Sequence, residues 1–426
     1  MFTLLQLVTF VAAAVASTTD ANWRLPSNEI GSDHSLNLVA TKSEPFSYVI
    51  QDDGATYTRP ISMSSGGVLE ISALDGSQKV QYTGSRSDFY AEYVTGSAAV
   101  LAYYPPRRIS LDIANTTEVG QASSAFTIDR FASGYANGTR NTIETICGVD
   151  NSRPAVCLKT SDSVKYTKAK AVGHLFVSGT SICTGWLFGS EGHLITNNHC
   201  IGSAEEARSV QVEFGVECST CSDPNNSVKH RCRGMIVATS AELISTDWML
   251  DFSLLKLNLK TGVSLAPYGY LQARSTGPVL NEPIYIAQHP DGKPKRIATT
   301  VDKGVAGTIE GTPICCPDYV QYSLDTDFGS SGSPVLSTRN NTVVALHSRG
   351  GCPNKGITMD KIVSKLRSLG HLPANAVAYL GLDGCAECEM RKRKPWKGLL
   401  QVLAYSNHYA KCRGGVNPEK ADMVSS

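Results

Sequence analysis

Between residues 46 and 135 the chain alternates short apolar runs with breaks at Gly, Asp and Ser. Phe46-Ser-Tyr-Val-Ile, Val68-Leu-Glu-Ile-Ser and Phe89-Tyr-Ala-Glu-Tyr-Val are such runs, and Asp75-Gly76 is a hairpin-type turn. The pattern predicts an antiparallel β-sandwich-like region, and no cysteine precedes Cys147. Residues 136–170 read as a polar connector. From Ala171 to about Leu372 short strands resume with frequent turns, enough chain for two small β-barrels. One terminal helix is predicted over Asp360–Leu369, where Ile362, Val363, Leu366 and Leu369 share a face. The tail from 375 to 426 changes character, with three cysteines and the basic run 391–394.

The N-terminus adds an apolar run from Leu4 to Val15 ending in Ala14-Val15-Ala16, the small-residue pattern of a cleaved signal. That run is shorter than the roughly 20 residues a spanning helix needs. The expected division is therefore a signal at 1–16, a β-rich pro-region or accessory domain at 17–140, a second β-rich domain at 141–374 and a cysteine-containing extension at 375–426. The 13 cysteines of an exported chain should be mostly disulfides, and the odd count leaves one over. Cys218-x-x-Cys221 with His230 and Cys232 has metal-like spacing, but disulfides are the better reading and no metal or cofactor is expected. Asn115, Asn137, Asn225 and Asn340 open glycosylation sequons. With 39 basic and 38 acidic residues, net charge gives no case for nucleic acid or an anionic membrane. The oligomeric state is not legible.

Three stretches carry chemistry: Cys183-Thr-Gly with Asn197-Asn-His199-Cys200, Leu250-Asp251-Phe, and Gly329-Ser-Ser331-Gly-Ser-Pro334. Acyl transfer needs a hydroxyl nucleophile, a base that takes its proton and a carboxylate that orients the base. Ser331, His199 and Asp251 fit those roles. A loop of small residues lets the backbone N–H groups of Gly329 and Ser331 converge on a developing oxyanion. Protein or peptide substrates are the expected partners.

On these motifs, residues 147–370 resemble the chymotrypsin-like (trypsin-fold) serine peptidases. Ala171-Val-Gly-His-Leu175, Gly-Ser-Pro after Ser331 and Ile284-Tyr-Ile-Ala-Gln-His-Pro290 are nearest the bacterial lysyl and glutamyl endopeptidase branches. The resemblance implies an all-β fold of two perpendicular six-stranded β-barrels with a C-terminal helix and the triad in the cleft between them. It also implies a Cys183–Cys200 disulfide, Cys147 with Cys352, and Cys157 with Cys218 or Cys221. A pro-region ending near Arg140 is the further implication. Trypsin has an aspartate before the nucleophile, whereas this chain has Ser330, so the oxyanion hole should form without an inserted N-terminus.

For the substrate pocket the resemblance points to Asp325, His347, Ser348 and Gly350. Asp325 falls at the pocket base and argues for a basic P1 residue, although Asp327 is close by. His347 matches a pocket-wall histidine that helps bind a carboxylate in the glutamyl branch, which leaves a glutamyl preference open. Ser348 to Gly350 should pair with the substrate backbone. A non-catalytic binding or inhibitor-like protein on the same fold is the rival to a secreted endopeptidase.

Overall fold

The computed structural model describes residues 31–41, 45–52, 57–63, 67–84, 86–106, 124–134, 146–313 and 316–378. The expected signal, Asn115, Asn137, Arg140, Cys315, the tail cysteines and the basic run lie outside the described residues.

The N-terminal region is two antiparallel sheets. One runs Gly31–Thr41, Ser124–Gly134, Tyr57–Met63 and Arg86–Tyr90, with Val94–Thr95 also on Tyr57–Met63; the other runs Phe46–Gln51, Ala98–Tyr104, Val68–Ala73 and Lys79–Thr83. Alternating apolar residues point to the inner face. Leu69, Ile71 and Ala73 are buried and lie opposite Tyr103, Leu101 and Ala99. Phe126 from the other sheet meets Tyr103 at 5.6 Å and Phe46 at 5.7 Å between ring centroids. These contacts close a sandwich core separate from the rest of the chain.

The second unit is a closed barrel of six strands. In order around the ring they are Val172–Val177, Ser181–Leu187, His193–Thr196, Phe252–Leu259, Met235–Asp247 and Gln211–Phe214. Val172–Val177 is buried throughout its length, as befits a strand covered on both faces. The third unit is a seven-stranded antiparallel sheet that residues 307–311 close into a second barrel: Ile284 N donates to Gly307 O at 2.8 Å on one side, and Glu310 N donates to Gln321 O at 2.8 Å on the other. It runs Arg153–Pro154, Arg296–Ala298, Ile284–Gln288, Pro334–Ser337, Val343–Arg349, Asn354–Thr358 and Tyr319–Tyr322. Its core holds Ile284, Ile286, Val320, Tyr322, Val335 and Val344.

The terminal helix is Met359–Ser368, and Met359, Ile362, Val363 and Leu366 are its buried residues. Leu369 is not on that face: it sits just past the helix end and is 46% exposed. The expected connector contains short helical turns at Ala155–Cys157, Leu158–Ser161 and Ser163–Ala169. Asp162 caps the last of these by accepting from Lys165 N at 3.1 Å. Segments so short carry too few apolar repeats for a helical period to be read. Among the described residues, no helix is long and apolar enough to cross a membrane.

One buried ion pair braces the third unit. Arg274 Nη1 donates to Glu282 Oε2 at 2.9 Å, and Arg274 Nε donates to Gly277 O at 2.9 Å. Glu282 is fully buried, so removing its partner charge leaves an unpaired ion in a low-dielectric interior. Glu282→Ala should cost about 3–5 kcal/mol in urea denaturation. A Glu282→Leu, Arg274→Met pair should recover most of that loss. A single-variant cost below about 1 kcal/mol would contradict this account of the pair.

Candidate active site

The strand His193–Thr196 ends in a turn in which Cys200 N and Ile201 N both donate to Asn197 O, at 3.3 and 3.2 Å. The Cys183–Cys200 disulfide fastens that turn to the adjacent strand Ser181–Leu187. His199 is thereby aimed at Asp251. Its Nδ1 lies 2.9 Å from Asp251 Oδ2, and its backbone N donates to Oδ1 at 3.1 Å. With a proton on Nδ1 facing the carboxylate, the far nitrogen Nε2 is left as the basic atom.

Asp251 has φ 41°, in the left-handed region that non-glycine residues seldom adopt. Its carbonyl accepts from Asn197 Nδ2 at 2.8 Å, which holds this backbone in place. Ser348 Oγ donates to Asp251 Oδ2 at 2.5 Å. The ladder between Val343–Arg349 and Asn354–Thr358 shifts register between His347 and Arg349. That shift takes Ser348 out of regular pairing, so its hydroxyl can turn to the carboxylate.

The 329–332 loop is fixed by bonds to its carbonyls. Phe328 O accepts from Asp291 N, and Ser330 O accepts from Ser333 N at 3.0 Å. In a planar trans peptide the N–H points opposite the C=O. Those two bonds therefore set the directions of the Gly329 and Ser331 N–H groups. Thr184 secures the same loop from the barrel: its Oγ1 donates to Gly329 O at 2.8 Å and its N donates to Ser331 O at 2.9 Å. Gly332 has φ 85°, and a Cβ there would collide with Thr184 O and Thr196 Oγ1. Only glycine fits that position. Ser330 Oγ accepts from Asp327 N at 3.1 Å, so the residue before Ser331 satisfies its own turn and needs no charged partner.

The pocket residues are placed unevenly. Asp325 is buried, but its carboxylate is occupied: Oδ1 accepts from Cys147 N at 3.1 Å and Oδ2 from Asn151 N at 2.7 Å. The Cys147–Cys352 disulfide carries that connector segment to the loop after Val343–Arg349. Burial raises the Asp325 carboxyl above its ordinary range. The geometry thus gives Asp325 a structural task and does not present it to a substrate. His347 is fully buried and bonds Tyr322 OH through Nδ1 at 2.7 Å. Burial pushes its imidazole down to about 3, and His199 lowers it further. Its backbone brackets the nucleophile's loop, with Gly332 N donating to His347 O and His347 N to Ser333 O, both at 2.9 Å. His347 Nε2 and Thr326 Oγ1 are buried with no hydrogen-bond partner among the described residues. Gly350 is half-buried and follows this strand.

The cysteines with metal-like spacing are joined as Cys218–Cys232 and Cys157–Cys221. Their sulfurs are bonded to one another and do not offer thiolates. Asn225 is exposed and Asn340 half-buried, where its Oδ1 accepts from Thr342 Oγ1 at 2.7 Å. Sequence reasoning passed over Thr184, Asn197, Tyr322 and Thr326. Thr184 and Asn197 stand inside the motifs around Cys183 and His199, so a search for hydroxyl and amide groups flanking those motifs would have found them.

Residues 183–346 match the family described as Trypsin-like peptidase domain. Secreted RxLR effector protein 73 of Plasmopara viticola is 37% identical over 354 residues, covering 79% of this chain and 85% of that protein. Uncharacterized protein y4fB of Sinorhizobium fredii is 32% identical over 214 residues, covering 47% of this chain and 31% of that protein. Among solved structures, Deg5 aligns with TM-score 0.38 and 15% identity over 51% of this chain and 97% of its own. The inactive form of the Rv3671c protease aligns with TM-score 0.35 and 16% identity, over 51% and 98%.

Three further histidines, His174, His230 and His289, are buried close together, with ring centroids 6.1 Å apart for His174–His230 and 5.4 Å for His174–His289. Burial pushes His174 down to about 4 and His230 to about 3, and holds His289 well below the usual histidine range. The unfolded chain, with histidines near 6.5, binds more protons than the folded one below that pH. Stability contributed by the neutral form is complete above about 6.5 and is lost as pH falls toward about 4. The melting temperature should drop steadily between pH 7 and pH 4.5 in calorimetry. A flat profile over that interval would contradict the burial of these rings.

Proposed function

We propose that this chain, which belongs to the same family as the Plasmopara viticola protein and holds a trypsin-like peptidase domain, is a serine endopeptidase exported from the cell. His199, Asp251 and Ser331 form its catalytic triad. The observation that carries this reading is the bidentate grip of Asp251 on the backbone N and ring Nδ1 of His199. That grip leaves Nε2 to take the Ser331 proton as the hydroxyl attacks a substrate carbonyl. The tetrahedral oxyanion accepts from Gly329 N–H and Ser331 N–H, whose peptide planes are preset by bonds on the far side. His199 then returns the proton to the leaving amine, and a water repeats the sequence on the acyl-enzyme. Export is supported by four cysteine pairs, typical of an oxidising compartment, and by a relative named as a secreted effector.

The pocket geometry favours an acidic P1 residue over the basic one that Asp325 would serve. Asp325 is engaged with the connector, whereas Thr326 Oγ1 and His347 Nε2 are two buried polar atoms awaiting a partner. An unsatisfied buried polar group costs about 1–3 kcal/mol, which a bound ligand recovers. Tyr322 OH lies 2.7 Å from His347 Nδ1, and in the tautomer in which the hydroxyl donates, neutral His347 carries its proton on Nε2. Thr326 and His347 together then offer two donors to a P1 carboxylate.

Steady-state kinetics on a peptide panel varied only at P1 tests both layers. Glu should give the highest kcat/KM, and His347→Ala should narrow the lead of Glu over Leu at least tenfold. Asp251→Asn should lower kcat by about 10⁴-fold, and Ser331→Ala by about 10⁶-fold. Preference for Lys or Arg would overturn the pocket assignment alone. Turnover undiminished in Ser331→Ala would overturn the peptidase assignment itself.

A further inference from the structure

Among the described residues, Tyr93 carries the sandwich's aromatic contact with the barrel. Tyr93 belongs to the N-terminal sandwich, just before Val94–Thr95, yet it is only 2% exposed and packs outside the sandwich core. Its ring stacks on Phe176 with centroids 4.8 Å apart and meets His230 edge-on at 5.9 Å. The Arg233 guanidinium lies 3.9 Å from the ring centroid on the same tyrosine. Tyr93 OH donates to Glu213 Oε2 at 3.3 Å, while Glu213 Oε1 accepts from Arg233 Nε at 2.9 Å. Gln211 Oε1 accepts from Tyr93 N at 3.4 Å, and Glu92 pairs with Lys260 beside it. The socket therefore has an aromatic wall, a cation over the ring and a carboxylate at the hydroxyl. It is built for a tyrosine.

The socket also abuts the oxyanion loop. Ile182 and Phe328 pack in the same cluster as Tyr93 and Phe176. Phe328 immediately precedes Gly329, and its carbonyl orients the Gly329 N–H. A Cβ on Gly329 would lie 2.9 Å from Ile182 Cδ1. The acyl half of a substrate runs along Ser348–Gly350, on the Asp251 side of His199. Its leaving half then departs on the other side, past Ile182 and Phe328, where Tyr93 of the sandwich packs.

We propose that the Phe176–Ile182–His230–Arg233 socket is a tyrosine-binding site on the leaving-group side of the cleft, filled in the intact chain by Tyr93. The sandwich is thereby an intramolecular ligand that excludes the leaving-group half of extended substrates. The inference rests on the peptidase reading only for the direction of the substrate; filling of the socket does not depend on Ser331.

The test compares the full chain with its Tyr93→Ala and Tyr93→Phe variants on two substrates. One is a small ester with nothing of peptide beyond the scissile bond; the other is an internally quenched octapeptide with four residues beyond it, the second a tyrosine. Tyr93→Ala should raise kcat/KM at least tenfold on the octapeptide and less than twofold on the ester. Tyr93→Phe, which keeps the stacked ring, should stay within threefold of the parent. No gain on the octapeptide, or an equal gain on both substrates, overturns the proposal. Binding of the same octapeptide to Ser331→Ala, with and without Tyr93→Ala, separates the two readings. Tenfold tighter binding on removing Tyr93 supports the socket even if no variant turns over, and unchanged binding overturns it.

Discussion

A buried carboxylate is costly unless donors surround it, and the active-site architecture follows from how Asp251 meets that demand. Its oxygens take the backbone N and ring Nδ1 of His199 from the barrel and the hydroxyl of Ser348 from the seven-stranded sheet. No single unit supplies all three. The two units must dock for the carboxylate to be satisfied, and the same docking sets Thr184 of the barrel against the Ser331 loop. The unusual φ of Asp251 belongs to the same constraint: the backbone bends so that the side chain reaches donors on both sides.

Thr184 is the second tie between those units. One residue on a barrel strand holds two carbonyls of the loop that carries Ser331. Ser330 completes that loop from within by accepting from Asp327 N. The conformation of the Ser331 loop is thus held by local bonds. Tyr93 of the sandwich packs in the same cluster as Phe328, next to that loop.

The His199–Asp251 contact was legible in the sequence because each residue sits in a short motif whose neighbours fix its place locally. The sandwich and the barrel were legible for a similar reason: alternating runs such as Val68–Ala73 declare their buried face directly. Asp325 was misread because position along the chain does not reveal what covers a carboxylate. The segment that occupies it, 147–151, lies far away in sequence and arrives through the Cys147–Cys352 disulfide. Cys157 had two candidate partners, and the choice of Cys221 leaves Cys218 to close a short loop with Cys232. Tyr93 was hidden for a third reason. In Phe89-Tyr-Ala-Glu-Tyr-Val it looks like one more sandwich residue, and only packing shows that its ring leaves that core for another unit's surface.

The proposed mechanism turns on one atom, the Ser331 hydroxyl oxygen. The most direct measurement is peptide mapping by mass spectrometry after treating the full chain with a small fluorophosphonate. The account predicts a phosphonyl adduct on Ser331, lost in His199→Ala. An adduct confined to another residue, or labelling of Ser331 undiminished in His199→Ala, would contradict it.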